Sequence, residues 1–272
     1  LPETEKQRDA LQAALGDTYR VFVSMRYWHP FAEETARDVA AWAPDRVILL
    51  PLYPQFSTTT TKSFTQAWYP AAAQAGISVP TAEICCWPDA DGFIDAVVRG
   101  TQAAISRLPD GAPYRILFSA HGLPKKFVES GDPYAIQVER TSAAALARLA
   151  KPDADHVVCY QSRVGPLEWL QPYTEDEINK AGAEGIALVV VPVAFVSEHS
   201  ETLVELDIEY AELAVEAGVP HYVRAPTVNA DSAFIATLAD IVKNTGETGI
   251  GPADGTFCNA VHADCPCLKK AA

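Results

Sequence analysis

The chain has 272 residues, 49% hydrophobic and 21% charged, with a formal net charge of −14. That is the composition of a globular protein with room for one large domain or two ordinary ones. Its acidity and its lack of clustered Lys and Arg argue against nucleic acid as a partner.

The chain begins at Leu1, not Met, and passes directly into the polar, helix-like stretch 2–7, so the natural start is expected to lie upstream. No signal segment is visible. Apolar runs then alternate with helix-period segments. Strands are expected at 19–25, 46–52, 79–86, 114–120, 156–161, 186–194 and 221–225, and helices most clearly at 31–43, 92–108, 135–150, 200–217 and 231–243. This alternation predicts an α/β protein with parallel sheets covered on both faces. Runs such as 47–50 and 188–191 are apolar without alternation, as buried parallel strands are. A turn-rich joint at 109–113 divides the pattern into two doubly wound halves, 1–110 and 111–227. A helix and a Cys-rich tail, 228–272, follow. The longest apolar stretch, 186–196, is about half the length of a membrane-spanning helix and contains Pro192.

Ligands of open α/β sheets bind at the carboxyl ends of the strands, so the residues found there matter most. The strand at 114–120 runs into His121 and Gly122, placing a group that titrates near neutrality where backbone can approach a ligand closely. Ser119 lies two residues before His121, but that spacing sets up no nucleophile–base bond, and no Gly-x-Ser-x-Gly elbow exists. The strand at 186–194 leads into Glu198, His199, Glu201, Glu205 and Glu209. Periodicity sets Glu201, Glu205, Glu209, Glu212 and Glu216 along one helix face. For Glu212 and Glu216 a solvated face suffices, whereas Glu201 and Glu205 start the helix where a cleft belongs. A carboxylate at Glu201 also complements the helix N-terminus, and His199 serves equally well as a partner of the helix start or as a ligand. After the strand at 46–52 come Tyr53, Phe56 and the hydroxyl run 57–61, features suited to a flat, partly polar ligand. Trp169 and the aromatic loop at 25–30 are candidate walls. Arg26 and Arg163 could meet a ligand carboxylate.

Six cysteines are unevenly placed: Cys85 and Cys86 adjacent, Cys159 inside an apolar run, and Cys258, Cys265 and Cys267 in the tail. This favours metal ligation over disulfide stapling. Zinc could take the three tail thiols with His262, whereas an iron–sulfur cluster wants four thiolates and would need Cys85 or Cys86. Cys159 reads as a packed core thiol.

Six segments, Tyr27–Pro30, Tyr53–Ser57, Ile116–Pro124, Gly131–Tyr134, Gln161–Pro166 and Glu201–Tyr210, together resemble the ferrochelatases, and the likeness spans essentially the whole chain. The resemblance implies two Rossmann-like lobes with parallel four-stranded sheets, the first strand missing here together with the helical lip that follows it. It implies insertion of Fe²⁺ into a porphyrin, with protoporphyrin IX expected, by a lyase of haem biosynthesis in the cytoplasm. Membrane association and oligomeric state stay open. His121 and Glu201 take the catalytic positions, and Glu198, His199, Glu205 and Glu209 line a path for metal or protons. Tyr53, Phe56, Ser63, Trp169 and Arg26 fall on the porphyrin side. The tail resembles that of bacterial members whose C-terminal cysteines hold a [2Fe–2S] cluster, with Cys258, Cys265, Cys267 and Cys86 (or Cys85) as ligands; structural zinc is the alternative. Rival readings are a non-catalytic porphyrin or haem-binding module, a cobalt chelatase on the same fold, and a structural zinc or iron–sulfur protein.

Overall fold

Strands that are apolar on both faces must be covered on both, and strand–helix alternation supplies that cover. The computed structural model of the chain describes residues 1–151, 154–251 and 258–268. Its strands are β1 (Val47–Leu49), β2 (Thr81–Ile84), β3 (Tyr114–His121), β4 (His156–Gln161), β5 (Ala187–Pro192), β6 (Tyr222–Arg224) and β7 (Gly249–Gly251). The helices are α1 (Pro2–Leu15), α2 (Ala32–Trp42), α3 (Thr61–Gln74), α4 (Asp91–Ile105), α5 (Lys125–Glu129), α6 (Tyr134–Arg148), α7 (Thr174–Glu184), α8 (Tyr210–Ala217) and α9 (Ser232–Asn244). All pairing between these strands is parallel, in a three-stranded sheet of order β1-β2-β7 and a four-stranded sheet of order β4-β3-β5-β6.

One apolar core joins the two sheets. Ile84 of the first and Ile116, Phe118, Val189 and Val191 of the second belong to it. At its centre Trp87, Phe93 and Phe234 meet with ring centroids 5.3–6.1 Å apart, each contributing the large apolar area of an aromatic side chain. α9 packs on both α1 and α4, so the C-terminal part of the chain returns to the first sheet. Asp231 caps α9 by accepting from the amides of Ala233 and Phe234, which satisfies donors that a helix start leaves over. Among the described residues no helix is long and apolar enough to cross a membrane.

Three expectations need correction. Residues 19–25 form no strand. A cavity of about 1080 Å³ is lined by this segment and by β1, and among the described residues no strand pairs with the segment. It is tied down by side chains instead: Gln12 Oε1 accepts from Val21 N, and Thr35 Oγ1 donates to Val23 O. Conversely, residues 249–251, where no strand was expected, make β7, because β2 offers an open edge in register with Gly249. The helix at 200–217 begins as a π-helix over Glu201–Glu209 before becoming α8, a departure that concentrates at functional sites.

Candidate active site

β3 and β5 are neighbours in the second sheet, so their carboxyl ends open into the same crevice. His121 is the last residue of β3, and the chain leaving β5 passes through Phe195 to the π-helix. The His121 Nδ1 lies 2.8 Å from Glu201 Oε2. Both groups therefore hang from the second sheet, His121 at the end of β3 and Glu201 on the π-helix after β5, and bond directly. Burial would raise the Glu201 carboxyl, but the His121 bond, the His121 and His199 charges and Ser162 together hold it below the ordinary carboxylate range. His199 Nδ1 accepts from the Glu201 amide at 3.1 Å, which fixes its proton on Nε2. Burial lowers its pKa against the opposing pull of Glu201 and Glu198. The Phe195 ring stands edge-on to both imidazoles, with centroids 6.4 Å from His121 and 4.9 Å from His199.

A second layer holds this pair in place. Glu205 accepts from Gln161 Nε2 (3.0 Å), Ser162 N (2.8 Å), the Ser162 hydroxyl and the Tyr210 hydroxyl (3.0 Å). Its lone pairs are committed to the strand end at Ser162, which adopts φ +61°. Glu198 accepts from Arg224 (3.0 Å) and Thr227 N (2.9 Å). Glu209 is exposed at the end of the π-helix. Tyr134 donates its hydroxyl to the His121 carbonyl at 2.9 Å. Trp169 packs against Gly122, where a Cβ would come within 3.1 Å of the indole and 2.8 Å of Gln161 O; only glycine admits that wall.

The first lobe supplies the facing side. The 1080 Å³ cavity runs from α1, residues 18–24 and β1 to residues 25–28, 50–53 and 194–199, so it reaches the pair's surroundings through Phe195 and His199, while His121 and Glu201 themselves do not line it. Arg26 donates to the Ser63 hydroxyl at 2.9 Å and lies over the Tyr27 ring. The Tyr53 hydroxyl is pushed up by burial first, then by Tyr27 and Glu201, which sets it near the His121–Glu201 pair. Phe56 differs from the expectation: it is 2% exposed and packs with Cys85, Cys86, Cys265 and Cys267. It faces the thiols, not the cleft.

A family model described as ferrochelatase matches residues 1–246. The chain belongs to the ferrochelatase family. The ferrochelatase of Phenylobacterium zucineum (strain HLK1) is 50% identical over 98% of this chain and 78% of its own length. That of Caulobacter vibrioides (strain NA1000 / CB15N) is 48% identical over 100% of this chain and 79% of its own. Among solved structures, SirB from Bacillus subtilis with Fe³⁺ superposes with a TM-score of 0.63 at 15% identity, covering 89% of this chain and 88% of that one. DR2241 from Deinococcus radiodurans, described as similar to chelatases, gives 0.53 at 15% identity over 97% of this chain and 55% of its own. These two share the fold. The chain is thus a ferrochelatase, a lyase that takes a porphyrin and Fe²⁺ as substrates in haem formation, and the non-catalytic and cobalt-chelatase readings give way.

The ferrochelatase carries a second cluster of chemistry away from the imidazole pair. Cys85, Cys86, Cys265 and Cys267, with Phe56, form one buried apolar group that Cys258 and Leu268 flank. The Cys85 and Cys86 sulfurs are 3.5 Å apart. Contacts with Cys267 first, then Cys85, lower the Cys86 thiol to about 6; the same contacts and burial push Cys85 far up. Among the described residues no three His, Cys, Asp or Glu are spaced about a single ion. His262 Nδ1 accepts from Asn259 N. Cys159 is fully buried in the second sheet, and burial raises its thiol to about 12.

Sequence reasoning did not single out Phe195, Ser162, Tyr134 and Arg224 as site residues. Each acts by touching a predicted residue across the fold, a relation that strand and helix periods do not carry.

Proposed function

We propose that His121 is the base that strips pyrrole protons from the bound porphyrin and that Glu201 stabilises the imidazolium formed. The 2.8 Å bond between Nδ1 and Oε2 carries this reading. With Nδ1 engaged, Nε2 is the nitrogen left to take a proton. A carboxylate so placed fixes the ring orientation and lowers the energy of its charged form, as in other carboxylate–imidazole pairs. Metallation exchanges two pyrrole protons for one Fe²⁺, so the pair works twice per turnover. Glu198, His199 and Glu209 continue the polar path, and Glu205 holds the Ser162 strand end beside it. Tyr53, Trp169 and the Arg26–Ser63 pair bound the porphyrin, with protoporphyrin IX as the first substrate to test. Bending of the macrocycle against these walls tilts its nitrogen lone pairs toward the entering ion.

The test uses Zn²⁺ as a redox-inert probe. His121→Ala should keep porphyrin binding, seen by fluorescence quenching, and lose insertion. Ordinary turnover in that variant would overturn the role.

We further infer that the thiol pocket holds a [2Fe–2S] cluster on Cys86, Cys258, Cys265 and Cys267. Such a cluster wants four thiolates, and five thiols share the pocket with apolar walls. When bound, the cluster would supply one-electron redox sensitivity and a covalent tie between tail and body. A brown preparation with matched iron and acid-labile sulfide, bleached by dithionite, is the expected result; a colourless, zinc-containing one would sink it. The same reading divides the chain into lobes at 1–110 and 111–227, with 228–272 returning to the first. It assigns the protein to the cytoplasm without nucleic acid, in keeping with its net charge of −14.

A further inference from the structure

The start of α6 touches both the thiol pocket and the porphyrin side. Gln137 is fully buried. Its Oε1 accepts from the Phe56 amide at 2.7 Å, and its Nε2 points at the Cys258 sulfur at 3.6 Å. Phe56 is thus held twice, by Gln137 through its backbone and by the thiols through its ring. Asp132, 1% exposed, grips the same loop, accepting from the Ser57 hydroxyl (3.0 Å) and from the Thr58 amide and hydroxyl (both 2.7 Å). The tail presses on this corner as well. The Asp264 amide donates to Gly131 O at 3.1 Å, and a Cβ at Gly131 would come within 2.8 Å of Ala263 N. Lys62 of α3 pairs with Asp264 at 3.4 Å.

We propose that Gln137 is a positioning residue that carries the state of the thiol pocket, cluster-bound or empty, to the loop between Tyr53 and Ser63. The inference rests on the [2Fe–2S] reading above. An amide cannot make both bonds well unless the thiol and the loop keep their separation. Ligation of Cys258 therefore fixes Gln137, and Gln137 fixes the main chain between Tyr53 and Ser63. An N–H donated to a cluster sulfur also stabilises the reduced, more negative state, so the bond sets the cluster's potential too.

The test compares the chain with two variants, Gln137→Met, which keeps volume but removes both bonds, and Gln137→Glu, which keeps the acceptor for Phe56 and removes the donor to Cys258. Each is purified with its cluster and after chelation of the iron, and melting curves report folding. In the parent chain, iron removal should speed amide hydrogen exchange at residues 56–59. In both variants that response should vanish and the cluster's midpoint potential should become more negative, and in Gln137→Met, which also frees the Phe56 amide, the porphyrin KM should rise about fivefold, as loss of that buried hydrogen bond allows. A cluster-dependent exchange change that survives in either variant overturns the coupling, as does its absence in the parent chain with iron bound. A parent chain that binds no iron and sulfide overturns the cluster reading and the coupling with it, and the iron analysis tells that failure apart.

Discussion

His121, at the end of β3, and Glu201, at the start of the π-helix that follows β5, are hydrogen-bonded to each other, Nδ1 to Oε2 at 2.8 Å. A proton gained by the imidazole is therefore felt at once by the carboxylate. Glu201→Gln keeps the shape and the acceptor oxygen but removes the charge that would balance an imidazolium. Insertion of Zn²⁺ is expected to slow by about two orders of magnitude, the scale of a disabled acid–base step, with porphyrin affinity little changed. Steady-state insertion kinetics beside a fluorescence titration check this; equal loss in kcat and in binding would indicate a disordered site instead.

His199 carries the pH dependence of stability. Burial depresses its folded-state pKa, whereas the unfolded chain takes up the proton near the ordinary value of about 6.5. Between those values the unfolded state binds more protons, so its stabilising contribution is complete above about pH 6.5 and declines as pH falls through the folded value. Glu201 and Glu198, with folded pKa values below the usual range, lose their contributions only at lower pH still. His199→Asn leaves an acceptor for the Glu201 amide without the titration. Its melting temperature should fall less than that of the parent between about pH 7.5 and 5.5. Parallel curves would count against a buried neutral imidazole.

Arg224 reaches Glu198 at 3.0 Å and Asp207 at 2.5 Å, and its side chain is only 11% exposed. Removing one partner of a buried pair strands the other charge, at a cost of about 3–5 kcal/mol. Arg224→Met should therefore lower thermal stability markedly, and the double variant Arg224→Met with Glu198→Gln should recover most of it. Calorimetry on the four proteins of that cycle decides whether the loss belongs to the stranded carboxylate.

Much of this architecture was readable in advance, because buried parallel strands and amphipathic helices write strong periods. The second sheet follows the expected runs closely, from Tyr114 to Arg224. The first does not. Residues 19–25 have the apolar composition of a strand, but strand formation needs an edge to pair with, and a cavity lies there. Gly249-Ile250-Gly251 has poor strand propensity and becomes β7 only because β2 recruits it; propensity in sheets yields to context. At the site, position along the chain identified His121 and Glu201 as partners of one cleft. It could not tell that they bond, since that depends on strand order. Phe56 was legible as an aromatic beside a strand end but not as one turned inward to the thiols. A two-residue periodicity fixes faces within a strand, and Phe56 lies in a loop.

Gly122 tests the far wall of the cleft. It follows His121, and its amide donates to Gln161 O at 2.8 Å, so the backbone there is already tied to β4. An added Cβ would lie 2.8 Å from that same carbonyl and 3.1 Å from Trp169 Cε3. The carbonyl belongs to a paired strand and cannot retreat cheaply, so the strain passes to the His121 strand end and to the indole. Gly122→Ala should cost about 1–3 kcal/mol, as overpacking does, and should weaken porphyrin binding by moving Trp169. Adding Trp169→Ala removes the indole contact but not the carbonyl clash. The double variant should therefore regain little stability. If it melted like Trp169→Ala alone, the backbone at Gly122 would be free to move and would hold no rigid wall beside His121.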